Sequence, residues 1–183
     1  MISSILSKLY GIILEKNISI WLEIHGKRVK GQVGFRRNHS TVDHLVTFSI
    51  IAEELRNTKT NLFWCFVDFR KDFDMVPRKK LWNRLEEIKV PLELRVAAIR
   101  LYENVISKFK NIEGWSKDIN CNIRVKQGCP LSPILFGIYI DKLEYFLEKN
   151  GCDGPTLTGI VINLLLYADV IVLMERSLHD LEN

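Results

Sequence analysis

Apolar residues recur at helical spacing over the first quarter of the chain. Ile5, Leu6, Leu9, Ile12 and Ile13, then Ile20 and Ile24, predict a helix ended by His25-Gly26. A basic, glycine-containing loop runs from Lys27 to Asn38. Ser40 is a natural N-cap, and Val42, Leu45, Val46, Ile50 and Leu55 predict a helix through about Arg56. After a polar turn, Leu62-Phe63-Trp64-Cys65-Phe66-Val67 is strongly strand-forming and ends at Asp68. Pro77 suits the opening of a helix carrying Leu81, Leu85 and Ile88. Pro91 breaks that pattern, and Leu94, Ala97, Ala98, Leu101 and Val105 predict another helix. Phe109 to Val125 reads as two short strands around Glu113-Gly114, and Gln127 to Pro133 as a loop. Ile134 to Leu147 predicts one long apolar helix, followed by a turn over Gly151 to Pro155. The order of helices, strand, helices, hairpin, helix, hairpin implies an α+β fold with a mostly antiparallel sheet.

The last hairpin carries the sharpest chemical signal. Leu164 to Met174 is an apolar run that the pattern allows to be buried almost end to end, with Asp169 in its middle. An ionised carboxylate in apolar surroundings is costly unless a metal or cation compensates it. The break at Ala168-Asp169 predicts a hairpin with the acid at its tip.

Composition adds little to this and excludes some alternatives. At 183 residues the chain suits one domain or a large part of one. Its four cysteines have neither zinc-knuckle nor redox-pair spacing, and they suggest a reducing, intracellular setting. Met1 to Leu14 carries Lys8 and no small-residue cleavage site, so it reads as a helix rather than a leader. The run over Ile160 to Met174 is too short to cross a membrane. The net charge of +4 weakly favours a polyanionic partner. The cations gather in two segments, Lys27, Arg28, Lys30, Arg36 and Arg37, and Arg70, Lys71, Arg78, Lys79 and Lys80. Each reads either as a solvated face or as a phosphate contact.

Two strand-like segments thus each deliver an acid, Asp68 and Asp169. On neighbouring strands, about 4.8 Å apart, both carboxylates can reach the same ions. Mg²⁺ in phosphoryl transfer takes one or two carboxylates and completes its shell with water and phosphates. Two such ions, roughly 3.5–4 Å apart, activate a hydroxyl and stabilise leaving pyrophosphate. The spacing alone leaves open the plainer reading of two strand-end turn residues.

The ordered motifs go further. Phe66-Val67-Asp68-Phe69-Arg70-Lys71-Asp72-Phe73-Asp74 resembles the first catalytic motif of reverse transcriptases. Gln127-Gly128-Cys129-Pro130-Leu131-Ser132-Pro133 resembles their QGxxxSP motif, and Tyr167-Ala168-Asp169-Val170 their YADD box. Gly34-Phe35-Arg36-Arg37-Asn38-His39-Ser40-Thr41 is similar to the GFR…ST fingers segment of LINE-type, non-LTR retrotransposons. The resemblance implies a right-hand polymerase fold, with partial fingers over 1–60 and palm over 61–183; the thumb that the family has after the YADD hairpin is expected to be missing here. It implies RNA-directed DNA synthesis with two Mg²⁺ ions, or Mn²⁺ in their place. The partners would be an RNA template, a DNA primer and deoxynucleoside triphosphates, without a membrane or a small-molecule cofactor. Asp68 and Asp169 match the metal-binding catalytic carboxylates. Phe69, Arg70, Lys71 and Asp72 match the stretch cradling the triphosphate, and Phe73 the gate that excludes a 2′-hydroxyl. Gln127 and Gly128 match positions lining the nucleotide and template. Arg36 and Arg37 resemble residues that meet phosphates or template.

Two residues depart from the pattern. Val170 stands where the family has its second YADD aspartate, and Asp72 where it usually has a small residue. The first loses a metal ligand; the second puts a negative charge beside the triphosphate. Three expectations follow: an inactive or strongly impaired polymerase domain, a non-catalytic RNA-binding remnant, or a polymerase working with one palm aspartate missing.

Overall fold

A computed structural model describes residues 4–103, 105–112, 114–120, 124–152, 154–157 and 159–176. In chain order the elements are α1 (Ile5–Ile24), α2 (Thr41–Thr58), β1 (Phe63–Asp68), a 3₁₀ turn (Asp72–Asp74), α3 (Arg78–Glu87) and α4 (Leu92–Tyr102). Four two-residue strands follow, β2 (Ile106–Ser107), β3 (Lys110–Asn111), β4 (Gly114–Trp115) and β5 (Ile119–Asn120). Then come α5 (Ser132–Ile140), α6 (Lys142–Lys149), β6 (Thr156–Leu157), β7 (Ile160–Val161), β8 (Leu164–Tyr167) and β9 (Val170–Glu175). Helices with antiparallel pairs agree with the expected α+β class. The chain divides into two units, one of Met1–Lys27 and Lys71–Tyr139, the other of Arg28–Arg70 and Ile140–Asn183. Among the described residues no helix is long and apolar enough to cross a membrane.

In the first unit α1 packs on α4, and α4 on α3. Leu81, Leu85, Ala98, Tyr102, Leu131, Ile134, Leu135 and Ile138 are its buried centre. Pro77 and Pro91 stand at the N-caps of α3 and α4, as expected, where a missing N–H costs nothing. α1 forms where its apolar spacing predicts, but other residues than the spaced ones pack. It buries Gly11, Leu14, Ile18, Ser19 and Leu22, whereas Ile5, Leu6, Leu9, Ile12, Ile13, Ile20 and Ile24 are exposed. The helix is apolar on more than one side, so periodicity finds a stripe without saying which stripe packs. At Gly11 a Cβ would stand 3.4 Å from both Cys129 Sγ and Pro130 Cδ, so that face of α1 lies against the loop.

The predicted ribbon begins earlier than Phe109, at Ile106, with β2 paired to β5 and β3 to β4. Glu113 and residues 121–123 of that predicted hairpin lie outside the described residues. The predicted long helix is two, α5 and α6, divided at buried Asp141. Ile134, Leu135 and Ile138 of α5 are buried, whereas α6 buries none of its residues and leaves Tyr145 and Phe146 exposed. Apolar spacing continues through the break and hides it.

The second unit is built on the three-stranded antiparallel sheet β1-β9-β8. β9 is central and pairs with β1 from Phe63↔Glu175 to Asp68↔Val170, and with β8 from Leu164↔Leu173 to Tyr167↔Val170. Ile51 of α2 packs with Leu165 and Met174, flanked by Leu55, Leu62, Trp64, Ile162 and Val172. α2 starts where expected: Ser40 Oγ accepts from the Val42 N–H, and the Ser40 N–H donates to Asp43 Oδ2 at 2.8 Å. Of its apolar residues only Ile51 is buried; Val42, Leu45, Val46 and Ile50 are exposed.

Candidate active site

The predicted acid tip exists. Tyr167 and Val170 close a two-residue turn of Ala168 and Asp169. Only the first of these has a positive φ, 59° at Ala168, which fits the type II′ hairpin turn matched to the twist of the strands. A residue with a Cβ is disfavoured there by roughly 1 kcal/mol, so the turn is held by its surroundings. The run is not buried throughout. Leu164, Leu165, Leu166, Ile171 and Met174 are buried, but Tyr167 and Val170 are about two-fifths exposed at 40% and 39%. Asp169 is therefore a half-buried acid at an open end, not a charge sealed in apolar surroundings.

β1 brings Asp68 to the same end. Asp68 is paired directly with Val170, and the Phe69 N–H donates to the Asp169 carbonyl at 3.4 Å. Two acids from distant parts of the chain are thus brought to one end of the sheet. Directly opposed residues in an antiparallel pair share a face, with Cβ atoms about 4.5–5.5 Å apart. Val170 is therefore the cross-strand partner of Asp68, and a carboxylate at 170 would face Asp68 across the ladder. Among the described residues no group of three or more His, Cys, Asp or Glu side chains is placed to hold a metal. The two acids are suitable oxygen donors for Mg²⁺ or Mn²⁺, and the residue paired with Asp68 is a branched alkyl group.

A clamp that sequence reasoning missed fixes this tip. Gln32 bridges to Leu166 in parallel: the Leu166 N–H donates to the Gly31 carbonyl at 2.8 Å, and the Val33 N–H donates to the Leu166 carbonyl at 3.1 Å. His44 Nε2 of α2 also lies 2.8 Å from that carbonyl. The ring nitrogen must carry the hydrogen, because a carbonyl only accepts. Fully buried Gln32 folds back, its Oε1 accepting from the Gly34 N–H at 2.8 Å. Gly34 lies so close to the turn that a Cβ there would overlap the Ala168 backbone nitrogen. The pair of glycines at 31 and 34 was the available signal, since glycine marks close backbone approach. Glu144 of α6 accepts from the Gly31 N–H at 3.4 Å. Burial holds its carboxyl above the ordinary value, against the Gly31 N–H and Lys30 but helped by Glu148.

Arg36 and Arg37 follow two and three residues after Gly34, in a loop with positive φ at Phe35 and Asn38. Arg36 is half-buried and Arg37 exposed. Arg28, read with them as one basic run, is buried at 8% exposure, so that run is not one solvated face.

Of the residues expected at a triphosphate, Phe69 and Arg70 belong to one unit and Lys71 and Asp72 to the other, as does the expected gate Phe73. Phe69 is half-buried, Arg70 and Lys71 are exposed, and Lys71 has a φ of 60°. Asp72 opens the 3₁₀ turn. Phe73 is held on two sides: its carbonyl accepts from the Val125 N–H at 3.0 Å, and its ring centroid is 5.3 Å from that of Phe136. Asp74 Oδ1 lies 3.7 Å from Arg124 Nη1. Gln127 and Gly128 are the exposed central residues of a β-turn closed by the Cys129 N–H donating to the Lys126 carbonyl at 3.1 Å. Gly128 has φ 81°, as the third position of a type II turn requires.

Comparison with known proteins agrees with the motifs. A family profile described as reverse transcriptase (RNA-dependent DNA polymerase) matches residues 4–183. The Pol polyprotein of the type-1 retrotransposable element R2 of Nasonia vitripennis is 27% identical over 158 residues, covering 86% of this chain and 15% of that protein. Its counterpart in Popillia japonica is 26% identical over 177 residues, covering 96% and 24%. The chain thus spans a quarter or less of the length of these relatives. Among solved structures, telomerase from Candida tropicalis has a TM-score of 0.66 at 17% identity, covering 92% of this chain and 29% of that one. Telomerase from Candida albicans gives 0.63 at 16%, covering 97% and 31%. At such identity the likeness is one of fold.

Proposed function

Since the chain belongs to the reverse transcriptase family, with non-LTR R2 polyproteins among its relatives, we propose that it is the palm and part of the fingers of an RNA-directed DNA polymerase with an impaired transfer centre. In this reading residues 1–60 belong to the fingers and 61–183 to the palm. Asp68 and Asp169 would hold the divalent ions, which when bound activate the primer hydroxyl and stabilise leaving pyrophosphate. The ring of Phe73, braced by Phe136, blocks a 2′-hydroxyl on the incoming sugar. Phe69, Arg70 and Lys71 meet the triphosphate, and the acid at Asp72 opposes it. Gln127 and Gly128 present a fixed turn to nucleotide and template. Arg36 and Arg37 contact the RNA backbone, next to the clamp on the acid tip.

The observation that carries the proposal is the pairing of Asp68 with Val170. It supports a polymerase centre, because two acids meet at the right edge. It also supports impairment, because the direct partner of one of them is apolar. Primer extension on an RNA template with Mg²⁺ or Mn²⁺ tests both halves. Extension at or near background by the chain, rising in Val170→Asp and lost again in Val170→Asp with Asp169→Ala, is the expected result. Robust extension by the unaltered chain overturns impairment. No extension in any variant leaves the second reading, a non-catalytic RNA-binding module. There, RNA affinity survives Asp68→Ala, falls in Arg36→Ala with Arg37→Ala, and weakens steeply with salt.

A further inference from the structure

We propose that Tyr102 is a positioning residue that holds the Gln127–Gly128 turn through Ser132 and Lys126. The proposal deepens the polymerase reading and rests on it for the turn's role. Tyr102 and Ser132 are 2% and 1% exposed, whereas the turn they support is open to solvent. Tyr102 Oη and Ser132 Oγ lie 2.7 Å apart, and Ser132 Oγ donates to the Lys126 carbonyl at 2.5 Å. The serine proton is committed to that carbonyl, so the phenol must be the donor to Ser132. The relay runs Tyr102 O–H to Ser132 O–H to Lys126 C=O. That carbonyl is the one that accepts the Cys129 N–H and closes the turn. The Ser132 N–H donates in turn to the Cys129 carbonyl at 3.0 Å, so both ends of Gln127–Gly128 are tied to one buried residue, Lys126 through its hydroxyl and Cys129 through its backbone.

The ring is fixed as well. Arg78 Cζ lies 5.3 Å and Lys126 Nζ 5.4 Å from its centroid. Arg78 Nη1 donates to the Tyr102 carbonyl and Nε to the Arg124 carbonyl, both at 2.8 Å. Lys126 Nζ donates to the Leu101 carbonyl at 2.6 Å. The lysine therefore ties the first residue of the turn to α4 by its side chain while the relay ties it by its carbonyl. Burial pushes the phenol far above its ordinary value, helped by Cys129, so it stays a donor at any working pH.

Tyr102→Phe removes only the hydroxyl and keeps the ring between its cations. Ser132→Ala breaks the relay at its middle and serves as the second variant. Two measurements on the full chain decide. The first is backbone hydrogen exchange: both variants should exchange roughly fivefold faster over residues 126–132, the size of one neutral hydrogen bond, with α3 unaffected. Unchanged exchange at the turn, or equal acceleration in α3, overturns the proposal whatever nucleotide does. The second is affinity for a fluorescent deoxynucleoside triphosphate with Mn²⁺ and an RNA–DNA primer–template. Tyr102→Phe and Gln127→Ala should each weaken it, and together no more than Gln127→Ala alone, because one acts through the other. Additive losses overturn the positioning role. No nucleotide affinity in the unaltered chain, with the exchange result intact, overturns the polymerase reading and leaves Tyr102 as the turn's support.

Discussion

Two antiparallel ribbons of this protein share local chemistry and differ in what borders them. The β8–β9 hairpin is flanked by β1 on one side and by the Gly31–Val33 segment on the other, and Leu164, Leu166, Ile171 and Met174 are buried. The ribbon from Ile106 to Asn120 has short ladders on a single partner each, and Phe109 and Trp115 are 66% and 67% exposed. Its register slips by one between the two ladders, so its second strand carries an extra residue, a bulge. The Phe109 and Ser116 backbones and the Lys108–Asp118 ion pair at 2.8 Å supply polar cohesion instead of a core. A lone two-stranded ribbon is marginal in water, whereas a third strand and a packed face make a rigid platform. Asp169 stands at the turn of the bordered ribbon and Asp68 on the strand that borders it. Geometry that must hold two carboxylates together is found where the edges are closed.

The contrast can be broken by substitution, and side-chain size should predict the outcome badly. Leu166→Ala empties a fully buried site on the bordered ribbon and should cost about 2–5 kcal/mol in urea denaturation. A cost under about 1 kcal/mol would mean that the hairpin is not clamped as described. Gly34→Ala adds one methyl group against the Ala168 backbone and should cost roughly 1–3 kcal/mol, seen as a lower Tm. An unchanged Tm would show that the loop can lift off without penalty.

Glu144 sharpens the comparison through pH. Its folded-state pKa is raised, chiefly by burial, so the folded state binds the proton more tightly than the unfolded one. The group's contribution is then full below its ordinary value and is lost as pH rises through its raised value. Glu144→Gln stays neutral and still accepts from the Gly31 N–H. The variant should melt higher than the parent at about pH 7, with the gap closing towards about pH 4. A gap independent of pH would refute the buried-carboxylate account. The smallest effect belongs to the open ribbon, where Trp115→Ser removes a much larger side chain than Leu166→Ala. It should change stability by no more than about 0.5 kcal/mol, by the same urea measurement.

The parts of this arrangement that could be read from sequence are local ones. The strand ending at Asp68, the turn at Ala168–Asp169, the cap at Ser40 and the prolines before α3 and α4 all follow from neighbours within a few residues. The apolar stripe of α1 marked the helix but not the face that packs, because the helix is greasy on several sides. The break at Asp141 was hidden because apolar spacing runs through it. The Gly31–Gly34 clamp and His44 escaped because their partner, Leu166, is far along the chain. Asp68 and Val170 could be named separately, but that they face each other is a fact of register.

That register carries a kinetic consequence. The β8–β9 hairpin joins neighbours in sequence, and such hairpins form in about 1–10 μs. Its docking on β1 must close more than half of the chain between Asp68 and Val170, an entropic cost that the hairpin itself does not bear. Pairing of the two acids therefore depends on the most non-local ladder of the sheet.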